Sequence, residues 1–177
     1  LSRRDMTVVG RAGGSTPAFK FKWQVDDTTA SGLTANPDDT VNEGEFTKQS
    51  AAATQFAIPL VTADVTIATD QPIIGLALDQ STETSTVNGV CEILMPLAGI
   101  VYEARALTAT AVDAQSEIDA IVGDNLVISV SSGAHTIDTA AGSGANNAFL
   151  VIGGDPVRRT LQFTVGLHGT VLGRGSA

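Results

Sequence analysis

One cysteine, two histidines, one tryptophan, one tyrosine and only three lysines stand among 177 residues, and each shortage closes off a class of chemistry. The single thiol, Cys91, rules out an intrachain disulfide and any thiol-rich metal site. His135 and His168 have no HxH or HxxxH spacing, so a histidine metal centre is not expected. Ten basic residues against nineteen acidic ones leave a net charge of −9, which is the wrong sign for neutralising phosphates, so nucleic acid is not an expected partner. No window approaches the roughly 20 apolar residues of a membrane-spanning helix. The start, Leu-Ser-Arg-Arg-Asp-Met, lacks the apolar stretch of a signal peptide. The expectation is a soluble protein, made in a cytoplasm, with no membrane partner.

Catalytic motifs are equally scarce. There is no GxSxG elbow, and Gly142-Ser143-Gly144 runs on into Ala145-Asn146-Asn147 without a preceding βα unit, so it reads as a loop. The acidic pairs Asp26-Asp27, Asp38-Asp39 and Glu43/Glu45 lack the alternating spacing of a calcium loop and read as solvated turns. A two-carboxylate glycosidase needs aromatic platforms that eight aromatic residues supply poorly. Cys91, set among Val90, Ile93 and Leu94, reads as a small buried hydrophobe. His168 falls in a strand pattern and His135 in a turn after Ser132-Gly133, where surface or hydrogen-bonding roles are expected. No cofactor, no metal and no enzymatic activity are expected.

What the chain does have is a core. Hydrophobic residues make up 43% and the mean hydropathy is +0.18, enough for one folded domain. Charge is unevenly divided. Residues 1–22 carry Arg3, Arg4, Arg11, Lys20 and Lys22 against Asp5; residues 23–155 carry only Lys48 and Arg105 against eighteen carboxylates; residues 156–177 carry Arg158, Arg159 and Arg174. Basic ends on an acidic body suit association with an acidic protein surface.

Residues 1–55 lack sustained periodicity and read as an extended N-terminal arm with one strand, 18–25, in which Phe19, Phe21, Trp23 and Val25 alternate with Lys20, Lys22 and Gln24. That strand must pack on the domain itself or on another chain. Residues 56–177 read as a β-rich body. Ala57 to Ile67, interrupted by Pro59, is a broken or edge strand; Ile73 to Leu78 and Gly89 to Met95 form a hairpin; Val101 to Leu107 continues the meander; Leu126 to Val130, Phe149 to Ile152 and Leu161 to Leu167 follow. The one helix spans Asp113 to Val122, with Asp113 as its cap and Gly123 as its stop. The fold class is mainly β, a small antiparallel barrel or sandwich with one short helix and the extended arm.

Gln71-Pro72-Ile73-Ile74-Gly75-Leu76-Ala77-Leu78-Asp79, the Ser/Thr-rich loop to Val87, and Val90 to Met95 with Pro96-Leu97-Ala98-Gly99 resemble the "IGVALED…AGD.V.V.L.G" hairpin of tailed-bacteriophage capsid cement, or head decoration, proteins. Val122-Gly123-Asp124-Asn125-Leu126-Val127 is similar to the "aGDpV" step that follows in that family, and Ser131 to Ala134 to its next turn. The resemblance covers about residues 71–173; the first 55 have no counterpart in it. It implies a non-enzymatic virion protein, commonly a homotrimer, bound to the outer surface of an icosahedral shell, where it holds neighbouring major capsid subunits together. Arg3, Arg4, Arg11, Lys20 and Lys22 would then meet acidic capsid surface, while Phe19, Phe21 and Trp23 fill an apolar groove. The alternative reading is a carbohydrate-binding or adhesin-like β module, such as a head fibre or tail component.

Overall fold

A computed structural model of the chain describes residues 6–11, 20–25, 40–49, 56–60, 73–82, 89–97, 99–131, 134–140 and 148–165. The fold is mainly β with one short helix, as the sequence reading expected. Its strands are β1 (Met6–Arg11), β2 (Lys20–Val25), β3 (Thr40–Val41), β4 (Phe46–Gln49), β5 (Phe56–Pro59), β6 (Ile73–Ala77), β7 (Ser81–Thr82), β8 (Gly89–Leu94) and β9 (Ile100–Arg105). After the helix α1 (Gln115–Ile121) come β10 (Asn125–Ser131), β11 (Ala134–Asp138), β12 (Phe149–Asp155) and β13 (Thr160–Val165).

The strands divide between a closed five-stranded barrel, ordered β2-β5-β4-β6-β8, and a six-stranded sheet, ordered β1-β9-β13-β12-β10-β11. The pair β3 and β7 forms a small ribbon held by a 3.0 Å bond between the hydroxyls of Thr40 and Thr82. The six-stranded sheet curls: its last strand returns to the continuation of β9, where Leu107 N donates to the Ile137 carbonyl at 2.7 Å. Each of the two sheets needs one face covered, and they cover each other.

β6 explains how. All five of its residues are buried, because one face lies inside the barrel and the other meets the six-stranded sheet. Ile74 and Ala77 pack with Val41, Ala57, Cys91 and Ile93 in the barrel interior. Ile73 and Leu76 belong instead to the larger core with Leu94, Ile100, Tyr102, Phe149 and Phe163. A strand buried on both faces reads as a continuous apolar run, and Ile-Ile-Gly-Leu-Ala is one. Gly75 is part of this fit. A Cβ there would overlap the carbonyl oxygen of Leu94, so β8 approaches the β6 backbone more closely than any side chain permits.

Three expectations are corrected. The chain does not run as one meander, for β8 pairs with β6 and β2 whereas β9, next in sequence, pairs with β1 and β13 in the other sheet. The connection from Met95 to Gly99, with Pro96 buried, carries the chain across. Secondly, the boundary drawn after residue 55 is crossed by hydrogen-bonded registers: Met6 pairs with Ala104, Trp23 with Cys91 and Phe46 with Leu76. Within the described parts of 1–55, β1, β2 and β4 are therefore strands of the two sheets, and β3 of the small ribbon, rather than an extended arm. The remaining stretches, 1–5, 12–19, 26–39 and 50–55, lie outside the described residues. Thirdly, Asp113 does not cap α1. The N-cap is Ala114, and Glu117 reaches back instead, its Oε2 accepting Asp113 N at 3.0 Å and Ala114 N at 3.1 Å. Gly123, at a φ of 95°, ends the helix as expected, and its N–H goes to Val151 of β12.

Candidate functional site

The residues named from sequence as partner contacts fall into two groups. Arg3, Arg4 and Phe19 lie outside the described residues. Arg11 stands in β1 opposite Ile100, and Lys20, Phe21, Lys22 and Trp23 stand in β2 opposite Leu94, Ile93, Glu92 and Cys91 of β8. β2 also runs parallel to β5 at Gln24 and Val25. It is thus an internal strand of this chain's own barrel, and its register sets Lys22 against the acidic Glu92.

Among the described residues, Cys91 and His135 are committed to the fold. Cys91 is buried in the barrel with its Sγ 3.5 Å from the carbonyl oxygens of Asp79 and Glu92. Burial, aided by the hydrogen bond and negative charge of Asp79, pushes its thiol up to about 12, so at neutral pH only about one part in 10⁵ is the nucleophilic thiolate. His135 is not in a turn: it lies in β11, opposite Val130, and is buried. Its Nδ1 accepts the Phe46 N–H at 3.2 Å, joining the barrel strand β4 to the last strand of the six-stranded sheet. That bond requires an unprotonated Nδ1. His168 lies outside the described residues. Among the described residues no group of three or more His, Cys, Asp or Glu side chains is placed to hold a metal ion, and no helix is long and apolar enough to cross a membrane.

What the structure does assemble is a basic turn that sequence spacing hides. The register of β9 against β13 sets Arg105 opposite Thr160, and Ala106 N donates to the Arg159 carbonyl at 3.2 Å. Arg105 therefore meets Arg158 and Arg159, more than fifty residues later in sequence, at one end of the six-stranded sheet. The turn between β12 and β13, Pro156-Val157-Arg158-Arg159, is held rigid. Asp155 Oδ1 accepts Val157 N at 2.8 Å and Arg158 N at 3.1 Å, Pro156 fixes its own φ, and Arg159 takes a left-handed φ of 57°. Arg158 in turn reaches Glu103 of β9 at 2.7 Å; the carboxylate is 5% exposed and the guanidinium side chain 62%. At the apex Val157 is 90% exposed, and Leu107, two residues past the end of β9, is exposed as well. The turn thus holds an apolar side chain in water, followed directly by two arginines, on a backbone fixed by Asp155 and Pro156.

No family model, no curated protein and no solved structure matches the chain.

Proposed function

We propose that the chain is a structural virion protein that binds the outer surface of an icosahedral phage capsid and cements neighbouring major capsid subunits, acting as a homotrimer and without cofactor or catalysis. The observation that carries the reading is the motif hairpin. The two segments that resemble the decoration-protein family, 71–79 and 90–95, contribute β6 and β8, which pair antiparallel with Leu76 opposite Leu94 and complete the barrel. Gly75, the glycine of the Ile-Gly-Leu-Ala-Leu motif, has a steric reason to be there, because a Cβ would overlap the Leu94 carbonyl oxygen of the paired strand. The commitment of Cys91 and His135 to buried structural contacts agrees with a role in assembly.

A sugar-binding module presents exposed aromatics as platforms. Among the described side chains the aromatics, Phe46, Tyr102, Phe149 and Phe163, are all buried, which weighs against that alternative. The test is reconstitution: purified protein is added to phage shells stripped of their outer proteins, and binding and heat-induced DNA release are followed. Saturable binding together with a higher release temperature is expected. Failure to bind any shell, with retention on a glycan array, would replace the reading with the adhesin one.

A further inference from the structure

The sequence from Ala106 to Val157 contains no lysine or arginine. Within it, α1 and its flanks carry the exposed Asp113 and Asp119 and the half-buried Glu117 and Asp124, and the exposed apolar side chains of Val122 and Ile152 stand where the end of α1 meets β12. The basic turn carries the opposite pattern, Val157 and Leu107 among Arg105, Arg158 and Arg159. One surface is apolar with a positive rim and the other is apolar with a negative rim, on the same chain. Ile118 of α1 packs over Gly154, one residue before Asp155, so the helix lies at the base of the turn and its acidic side chains do not cover the exposed Val157.

We propose that the Pro156–Arg159 turn of one copy docks on the acidic helix surface of a second copy, Val157 seating against Val122 and Ile152 while the arginines face the helix carboxylates. Charge complementarity selects a copy of this chain as the occupant, because the chain supplies both halves of the contact. The turn is already ordered by Asp155 and Pro156, so docking costs little conformational entropy. The inference rests on the self-association in the reading above and gives it a surface.

Sedimentation of the full chain over a concentration series tests it. Val157→Ser removes only an exposed side chain, Arg159→Glu reverses charge without touching the Arg158–Glu103 pair, and Asp119→Lys reverses charge on the helix. Each is expected to weaken association about tenfold or more with an unchanged circular dichroism spectrum. Raising salt to about 1 M, where the screening length falls to about 3 Å, is expected to weaken the wild type as well. A wild-type chain that stays monomeric throughout the series, or an oligomer indifferent to all three substitutions, overturns the proposal. Binding of the same samples to stripped shells is scored separately, so loss of this contact and loss of the capsid reading are told apart.

Discussion

Tyr102 carries a hydroxyl with no hydrogen-bond partner among the described residues, deep in a cluster of rings. Its ring stacks on Phe163 at 5.8 Å and meets Phe46 edge-on at 5.0 Å, so the aromatic body earns its place while the oxygen does not. Tyr102→Phe keeps every ring contact and removes a desolvated hydroxyl. The expected result is a protein as stable as wild type or more stable by about 1 kcal/mol, read by chemical denaturation. The same burial raises the ionisation of Tyr102 above its ordinary range, and Cys91 moves the same way, from 9.0 to about 12. Both groups are acids whose folded forms hold their protons more tightly than the unfolded chain. Their contribution to stability is therefore complete below pH 9.0 and is lost progressively as pH rises towards 12, because the unfolded chain ionises first. Melting temperature should fall on the alkaline side, and Cys91→Ala should flatten the onset of that fall. An unchanged alkaline slope in the variant would mean that the thiol is not desolvated as its position in the barrel requires.

At the scale of elements, α1 has seven residues and depends on its first turn. Glu117→Ala frees two backbone N–H groups and should cost about 0.5–1 kcal/mol in thermal or urea unfolding, while Asp113→Ala should cost measurably less. The β12–β13 turn allows a parallel comparison. Arg158→Ala strands a buried carboxylate on β9, for a loss of about 1 kcal/mol after allowing for the exposure of the arginine, and Arg159→Ala should be close to neutral. Elements of this kind differed in how far sequence revealed them. The strands β6, β8, β12 and β13 were legible because their apolar runs or alternation are sustained, and α1 because Ile118 and Ile121 recur at helical spacing. β4 was not, since Phe-Thr-Lys-Gln is too short to establish a period. Neither was β1, where a register shift between Val8 and Gly10 breaks the alternation. β11 is the instructive case: Ala-His-Thr-Ile-Asp alternates correctly, with His135 and Ile137 inward, but a polar residue facing the core looked like part of a turn. The basic turn was out of reach for a different reason, because only the pairing of β9 with β13 brings Arg105 to Arg158 and Arg159, and pairing partners are not written in local sequence.

For the molecule as a whole, the question is whether barrel and sheet are two units or one. The larger core runs through both: Phe46 and Leu76 come from the barrel, Tyr102, Phe149 and Phe163 from the sheet, with ring centroids 5.0, 5.4 and 6.3 Å from that of Phe46. The His135 bond to the Phe46 N–H joins them again at the backbone. Neither sheet can leave without exposing the apolar face of the other, so unfolding should be a single cooperative transition. The lone Trp23 stands on β2 in the barrel, and its fluorescence reports that part, while far-ultraviolet circular dichroism reports all the strands. The two signals should trace coincident curves in denaturant. Phe46→Ala, which empties the point where the sheets meet, should cost about 3–5 kcal/mol and shift both signals together. If the fluorescence transition of that variant moves while the dichroism of the remaining strands keeps its wild-type midpoint, the barrel is an independent unit, and contacts made through the six-stranded sheet would survive its loss.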